Sequence, residues 1–82
     1  MPEQICVYGA NWCPDTARCV QLLRRLGISF DWFDIDQDKK ACTFVEQVNS
    51  GNRSVPTIVF PDGSILVEPT DAELDKKLAG KR

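Results

Sequence analysis

Ile5-Cys6-Val7-Tyr8 runs through Gly9-Ala10-Asn11 into Trp12-Cys13-Pro14-Asp15-Thr16, and this stretch decides the fold. The apolar run from Ile5 to Gly9 reads as a strand covered on both faces. Pro14 suits the first turn of a helix, because its missing N–H would have had no helical partner there. A cysteine is therefore expected where a strand ends and a helix begins. Unpaired N–H groups and the positive end of the helix dipole favour an anion at that place. For a cysteine the anion is the thiolate, which is the nucleophilic form. Cys13 is thus the candidate nucleophile, and thiol–disulfide exchange the candidate chemistry.

Downstream, Cys19, Leu22, Leu23 and Leu26 fall on one stripe of that helix, with Arg18, Gln21, Arg24 and Arg25 mostly outside it. Gly27 is placed to end it. Ile28 to Ile35 is aromatic and β-branched and reads as a second strand. Asp36 or Asp38 can cap a second helix from Lys39 to Val48, with Ala41, Phe44, Val45 and Val48 on its buried stripe and Asn49-Ser50-Gly51-Asn52 as its stop. Val55 to Phe60 reads as a third strand entered through Pro56. Pro61-Asp62-Gly63-Ser64 is a hairpin turn leading into Ile65-Leu66-Val67. Thr70 is a natural N-cap for a last helix to Leu78, with Glu73 in the capping-box position and Gly80 as its end.

The predicted order is β-α-β-α-β-β-α. The first β-α-β unit should be parallel and right-handed, and the last two strands an antiparallel hairpin. That is an α/β fold: a mixed four-stranded sheet with helices on both faces.

The 82 residues are expected to form a single domain, 1–82, with a modest core. Net charge is −2, and no basic block occurs beyond Lys81-Arg82, so nucleic-acid binding has no support. No apolar run is long enough to span a bilayer. Met1-Pro2-Glu3-Gln4 lacks the basic and apolar regions of a secretory signal. A cytoplasmic monomer is expected, with no membrane partner. Cys6, Cys13, Cys19 and Cys42 form no C-x-x-C pair, and the chain has no histidine, so no metal is expected. The missing histidine also removes Cys–His catalysis.

Three motifs now stand in order along nearly the whole chain: Trp12-Cys13-Pro14 after the first strand, Ser54-Val55-Pro56 before the third, and the late Thr70-Asp71. Together they resemble the glutaredoxins, which have the thioredoxin fold. The stretches Asn52-Arg53-Ser54-Val55-Pro56-Thr57, Pro61-Asp62-Gly63-Ser64 and Glu68-Pro69-Thr70-Asp71 are similar in particular to the mycoredoxins, bacterial glutaredoxin-like proteins that use mycothiol in place of glutathione. The resemblance implies that Cys13 is the nucleophile and Pro56 a cis-proline facing it. It implies that the Val55 backbone pairs with a bound thiol compound, glutathione or mycothiol, and that Thr70 and Asp71 hold its polar end. Arg53 could meet a carboxylate or a sugar hydroxyl of that compound. The partners implied are the small thiol and client proteins carrying mixed disulfides.

Three positions depart from the family pattern. Thr16 stands where a second active-site cysteine is often found, which gives a monothiol Cys13-Pro14-Asp15-Thr16 site. Ala10 replaces a frequent basic residue, and Glu68-Pro69 replaces a Gly-Gly pair. The last two weigh against glutathione and leave mycothiol, or no small thiol at all, open.

Each candidate also has a plainer reading. The Thr16 hydroxyl could donate to the Cys13 sulfur, or Thr16 could be a tolerated replacement. Asp15 competes for the same helix dipole, unless Arg18 pairs with it. Cys19 is offset from Cys13 by about 9 Å of rise and about 240° of rotation, whereas a disulfide needs Cα atoms within about 7 Å. It reads as core, as do Cys6 and, next to the stripe, Cys42. Trp12 is either an apolar lip for partners or a hydrophobic anchor, and Trp32 reads as sheet packing. The function expected is reduction of protein–small-thiol mixed disulfides by a single cysteine. The alternatives are an iron–sulfur cluster carrier that uses Cys13 and small thiols as ligands, and a docking module with weak chemistry.

Overall fold

A computed structural model describes residues 3–79. Its elements are β1 (Ile5–Gly9), α1 (Pro14–Arg25), β2 (Phe30–Asp34), α2 (Lys39–Val48), β3 (Thr57–Val59), β4 (Ile65–Val67) and α3 (Asp71–Ala79). The strands form one sheet in the order β2-β1-β3-β4. β1 and β2 are parallel, while β1–β3 and β3–β4 are antiparallel. The expected mixed sheet is therefore present. Gly80, expected to end α3, and the basic pair Lys81-Arg82 lie outside the described residues.

Local chemistry accounts for most element ends. Gly27 has φ of 71°. The Gly27 N–H donates to the Arg24 carbonyl at 3.0 Å and the Ile28 N–H to that of Leu23 at 2.9 Å, the paired bonds that close a helix through a left-handed residue. The Asp38 carboxylate accepts from the N–H groups of Lys40 and Ala41 at 3.0 and 3.1 Å and so caps α2. At α3 the Thr70 N–H donates to Glu73 at 2.8 Å, and the Glu73 N–H donates to the Thr70 hydroxyl at 3.1 Å. That is the reciprocal capping box.

Two strands are shorter than the sequence suggests. β2 starts at Phe30 rather than Ile28, because the Ile28 N–H is already used in closing α1. β3 starts at Thr57 rather than Val55, because Pro56 has no N–H to give to the ladder.

Alternate residues of β1 face opposite ways. Ile5 and Val7 pack with Cys19, Leu22 and Leu23 of α1, Ile58 and Phe60, and Leu74 and Leu78 of α3. On the other face, Ala10, Cys13, Ile35, Ala41, Val45 and Val55 form a second cluster over α2. Tyr8 belongs to that side, stacked between Phe33 and Phe44 with both centroid distances 4.7 Å. The carboxyl end of β1 and the start of α1 thus meet the Val55 segment at one edge of the smaller cluster. Among the described residues no helix is long and apolar enough to cross a membrane.

Candidate active site

Cys13 is the N-cap of α1, with extended backbone at φ −86° and ψ 117°. Its N–H donates to the Ala10 carbonyl and its carbonyl accepts from Ala17, both at 3.1 Å. The backbone is fixed at both ends, while the sulfur takes no part in capping. Instead the thiol lies against the Val55 carbonyl, to which it donates at 3.7 Å. The Val55–Pro56 peptide bond is cis, as the resemblance implies. Two further bonds hold that segment. The Thr57 hydroxyl donates to the Ser54 carbonyl at 2.7 Å, and the Glu68 N–H donates to that of Pro56 at 2.8 Å.

Of the two readings of Thr16, a hydroxyl bonded to the Cys13 sulfur is not what the structure shows. The residue is 3 % exposed, and its hydroxyl has no hydrogen-bond partner among the described residues. The side chain packs against Gly9, and its hydroxyl makes no bond to the Cys13 sulfur. One turn of helix brings position 16 below position 13, but the thiol is turned away toward Val55. The second turn of α1 supplies Cys19, wholly buried in the larger core with its sulfur 4.0 Å from the Pro69 carbonyl.

Four thiols are free. Exposure does not single out Cys13, since Cys6 and Cys13 are both 8 % exposed. Protonation separates two of the others. Burial pushes the Cys19 thiol up, although neighbouring Arg18 opposes it. Burial, then the Asp31 carboxylate, pushes Cys6 up. Both are held as poorly nucleophilic thiols. Cys42 is half-buried beside the smaller cluster.

Around Cys13 the structure adds partners that sequence reasoning missed. Trp12 is 69 % exposed, and its indole N–H donates to Asp36 at 2.7 Å. Asn11 donates to Asp34 at 3.2 Å. The end of β2 and the loop after it thereby pin the loop before α1, and Trp12 stands exposed beside Cys13. The only signal in the sequence was the cluster Asp34-Ile35-Asp36 at the end of the strand.

Arg18 does approach Asp15, at 3.4 Å, but its shorter contact is with Asp71 at 2.6 Å. It also donates to the Pro69 carbonyl at 3.1 Å. Of the residues expected to hold a thiol compound, Asp71 is thus engaged by α1 and Thr70 caps α3. Arg53 is exposed and paired with Glu46 of α2 at 3.2 Å. Cys13 and Val55 meet directly, whereas Arg53 turns to α2. Among the described residues no three or more Cys, Asp or Glu gather as a metal site. The site offers one fixed sulfur beside a strand-like carbonyl, under an aromatic lip. That suits attack on a disulfide laid along the Val55 segment.

The glutaredoxin family profile matches residues 5–65. Mycoredoxin 1 of Corynebacterium glutamicum is 40% identical over 77 residues, which are 93% of this chain and 94% of that protein. A protein of Mycobacterium tuberculosis described as a glutaredoxin is 40% identical over 72 residues, 88% of this chain and 86% of that one. The crystal structure of a glutaredoxin from Archaeoglobus fulgidus superposes with a TM-score of 0.71 at 27% identity, covering 89% of this chain and 83% of that one.

Proposed function

This chain belongs to the glutaredoxin family, and from that premise we propose that it reduces mixed disulfides between proteins and a small thiol through Cys13 alone. The Cys13 thiolate attacks the sulfur of the small thiol in the mixed disulfide. A new disulfide forms between Cys13 and the small thiol, and the client leaves as its thiolate. A second small-thiol thiolate then attacks that adduct. It takes away the first as a symmetrical disulfide and returns the Cys13 thiolate. No second protein cysteine enters, and the net change is one disulfide exchanged for another: the mixed disulfide and one free small thiolate give the client thiolate and the symmetrical small-thiol disulfide.

One observation carries this reading: Cys13 rests on Val55 while the neighbouring position on its helix is a threonine and the next cysteine, Cys19, is wholly buried. The small thiol is mycothiol rather than glutathione. Ala10 gives no charge for a carboxylate, the Asp71 carboxylate is already met by Arg18, and mycoredoxin 1 is similar over nearly the whole chain. The protein acts on client proteins as a cytoplasmic monomer.

Intact-protein mass spectrometry tests the mechanism after separate incubation with mycothiol disulfide and glutathione disulfide. The expected product is a single small-thiol adduct on Cys13, formed faster with mycothiol. Thr16→Cys should instead close an intramolecular disulfide on mild oxidation. A Cys13–Cys19 disulfide in the oxidised parent would replace the monothiol mechanism with a two-cysteine one.

A further inference from the structure

The order of the sheet, β2-β1-β3-β4, places a different segment on each side of Cys13. β2 runs parallel to β1, so Asp34 and Asp36 at its end reach the same edge of the sheet as the end of β1. β3 runs antiparallel to β1, so the Val55–Pro56 entry reaches that edge from the opposite side. Cys13 follows β1, the strand between them. Toward β3, its thiol meets the Val55 carbonyl. Toward β2, Trp12 is exposed, yet its indole N–H is tied to the Asp36 carboxylate at 2.7 Å. Asp36 is itself oriented by its backbone N–H, which donates to the Asp34 side chain at 2.9 Å. Asp36 is exposed, bonds only neutral N–H groups and makes no ion pair among the described residues. Arg53 is near enough to feel that charge, but it pairs with Glu46 at 3.2 Å. A tethered indole and an unpaired carboxylate thus stand together on the β2 side of the site.

We propose that Trp12 and Asp36 form the docking surface for the client polypeptide, and that they favour clients with an arginine or lysine next to the mixed disulfide. The inference rests on the redox reading above. A mixed disulfide has two halves. With the small thiol laid along Val55, the client half falls on the side of Cys13 that Trp12 occupies. An indole face attracts a cation, most often a guanidinium. The Asp36 carboxylate, at the edge of the same ring, attracts that cation too, so charge and ring select one kind of side chain. Trp12 directly precedes Cys13, and consecutive Cα atoms are only about 3.8 Å apart. A long cationic side chain beside the client cysteine therefore has the ring within reach. Tryptophan is enriched among the residues that dominate protein interfaces, and a ring already tethered at its edge has less freedom to lose on docking. Trp12 touches the client. Asp36 is a positioning residue as well as a charge, because it holds the ring.

The test uses the whole reduced chain and the peptide Gly-Arg-Cys-Gly-Gly as its mixed disulfide with mycothiol, with glutathione as a second series. Release of the peptide thiol is followed in a single turnover, and the arginine is replaced by glutamine or glutamate. The expected order is arginine, glutamine, glutamate, with arginine about tenfold faster than glutamate at low salt. Asp36→Asn keeps an oxygen for the indole N–H. It should lower the arginine-to-glutamate ratio to about threefold and remove most of its salt dependence. Trp12→Ala should also lower the ratio to about threefold but leave the salt dependence. A merely structural Asp36 would move neither the ratio nor its response to salt. Equal rates for the three peptides, while Cys13 still forms an adduct with the small-thiol disulfide alone, would overturn the docking surface and leave the redox reading standing. No Cys13 adduct from either small-thiol disulfide would overturn both. If Trp12→Ala slowed adduct formation as much as peptide release, the ring would belong to the small thiol. A rate per molecule that falls as the protein is concentrated would give the surface to a second copy of the chain. Either result would overturn the proposal.

Discussion

The two faces of the sheet differ in size and in use. Under α1 and α3, nine buried residues interlock, among them Phe60, Leu23, Ile58, Leu74 and Leu78, all without exposed surface. Over α2, the six buried residues include two alanines and Cys13 itself, and no fully buried side chain there is larger than valine. Helix α1 belongs to both. Its body enters the large core through Cys19, Leu22 and Leu23, while its N-cap delivers Cys13 to the small one. Two cysteines on one helix are thus divided into an anchored thiol and a presented one. The larger buried side chains lie mainly on one face, and the Cys13 thiol that we propose as the nucleophile lies on the other.

The largest test of that division pairs Cys13→Ser with Phe60→Ala. Cys13→Ser should abolish mixed-disulfide reduction yet change unfolding free energy by about 1 kcal/mol or less. Phe60→Ala should cost about 3–5 kcal/mol in chemical denaturation, a large share of the roughly 5–15 kcal/mol typical of native proteins. Val45→Ala in the small cluster should cost only about 2 kcal/mol. Equal costs for Phe60→Ala and Val45→Ala would mean that the two faces are not unequal after all.

Gly9 sharpens the comparison where β1 meets the start of α1. A methyl group there would collide with the Thr16 side chain and come within 3.0 Å of the Trp32 ring. Gly9→Ala should cost about 1–3 kcal/mol. Thr16→Ser removes the offending Cγ2 and should recover part of that loss in a double-mutant cycle; strict additivity would show that the contact is not the cause.

At the edge of the large core the effects shrink. Thr70→Ala removes the cap of α3 and should cost about 1 kcal/mol in thermal or urea unfolding. Asp62 is held well below the usual carboxylate range by hydrogen bonds from the Ser64 hydroxyl and N–H, then by Lys77. Its folded value is depressed, so its contribution is present above the unfolded value of about 3.9 and fades as pH falls toward the folded one. Asp62→Asn should therefore lower the melting temperature slightly at neutral pH, and the deficit should vanish in strong acid. A deficit that persists there would assign the effect to turn geometry rather than charge.

The sequence by itself determined what depends on near neighbours along the chain. The bounds of β1, α2 and β4 match its reading, as do the closure of α1 at Gly27 and the capping box at Thr70 and Glu73. Helical hydrogen bonds and caps link residues three to five apart, so periodicity and end residues already contain them. Cys13 was legible for the same reason: a strand end followed by Pro14 fixes a helix start. Which side chains meet was decided only by the tertiary structure. Arg18 has Asp71 at 2.6 Å, nearer than Asp15 at 3.4 Å. The Trp12 indole finds Asp36, and the Thr16 hydroxyl is buried unpaired against Gly9 rather than beside the Cys13 sulfur. These partners are brought together by the packing of α1 on the sheet. A side chain settles among the groups that surround it in space, and chain spacing beyond a turn or two does not fix which groups those are.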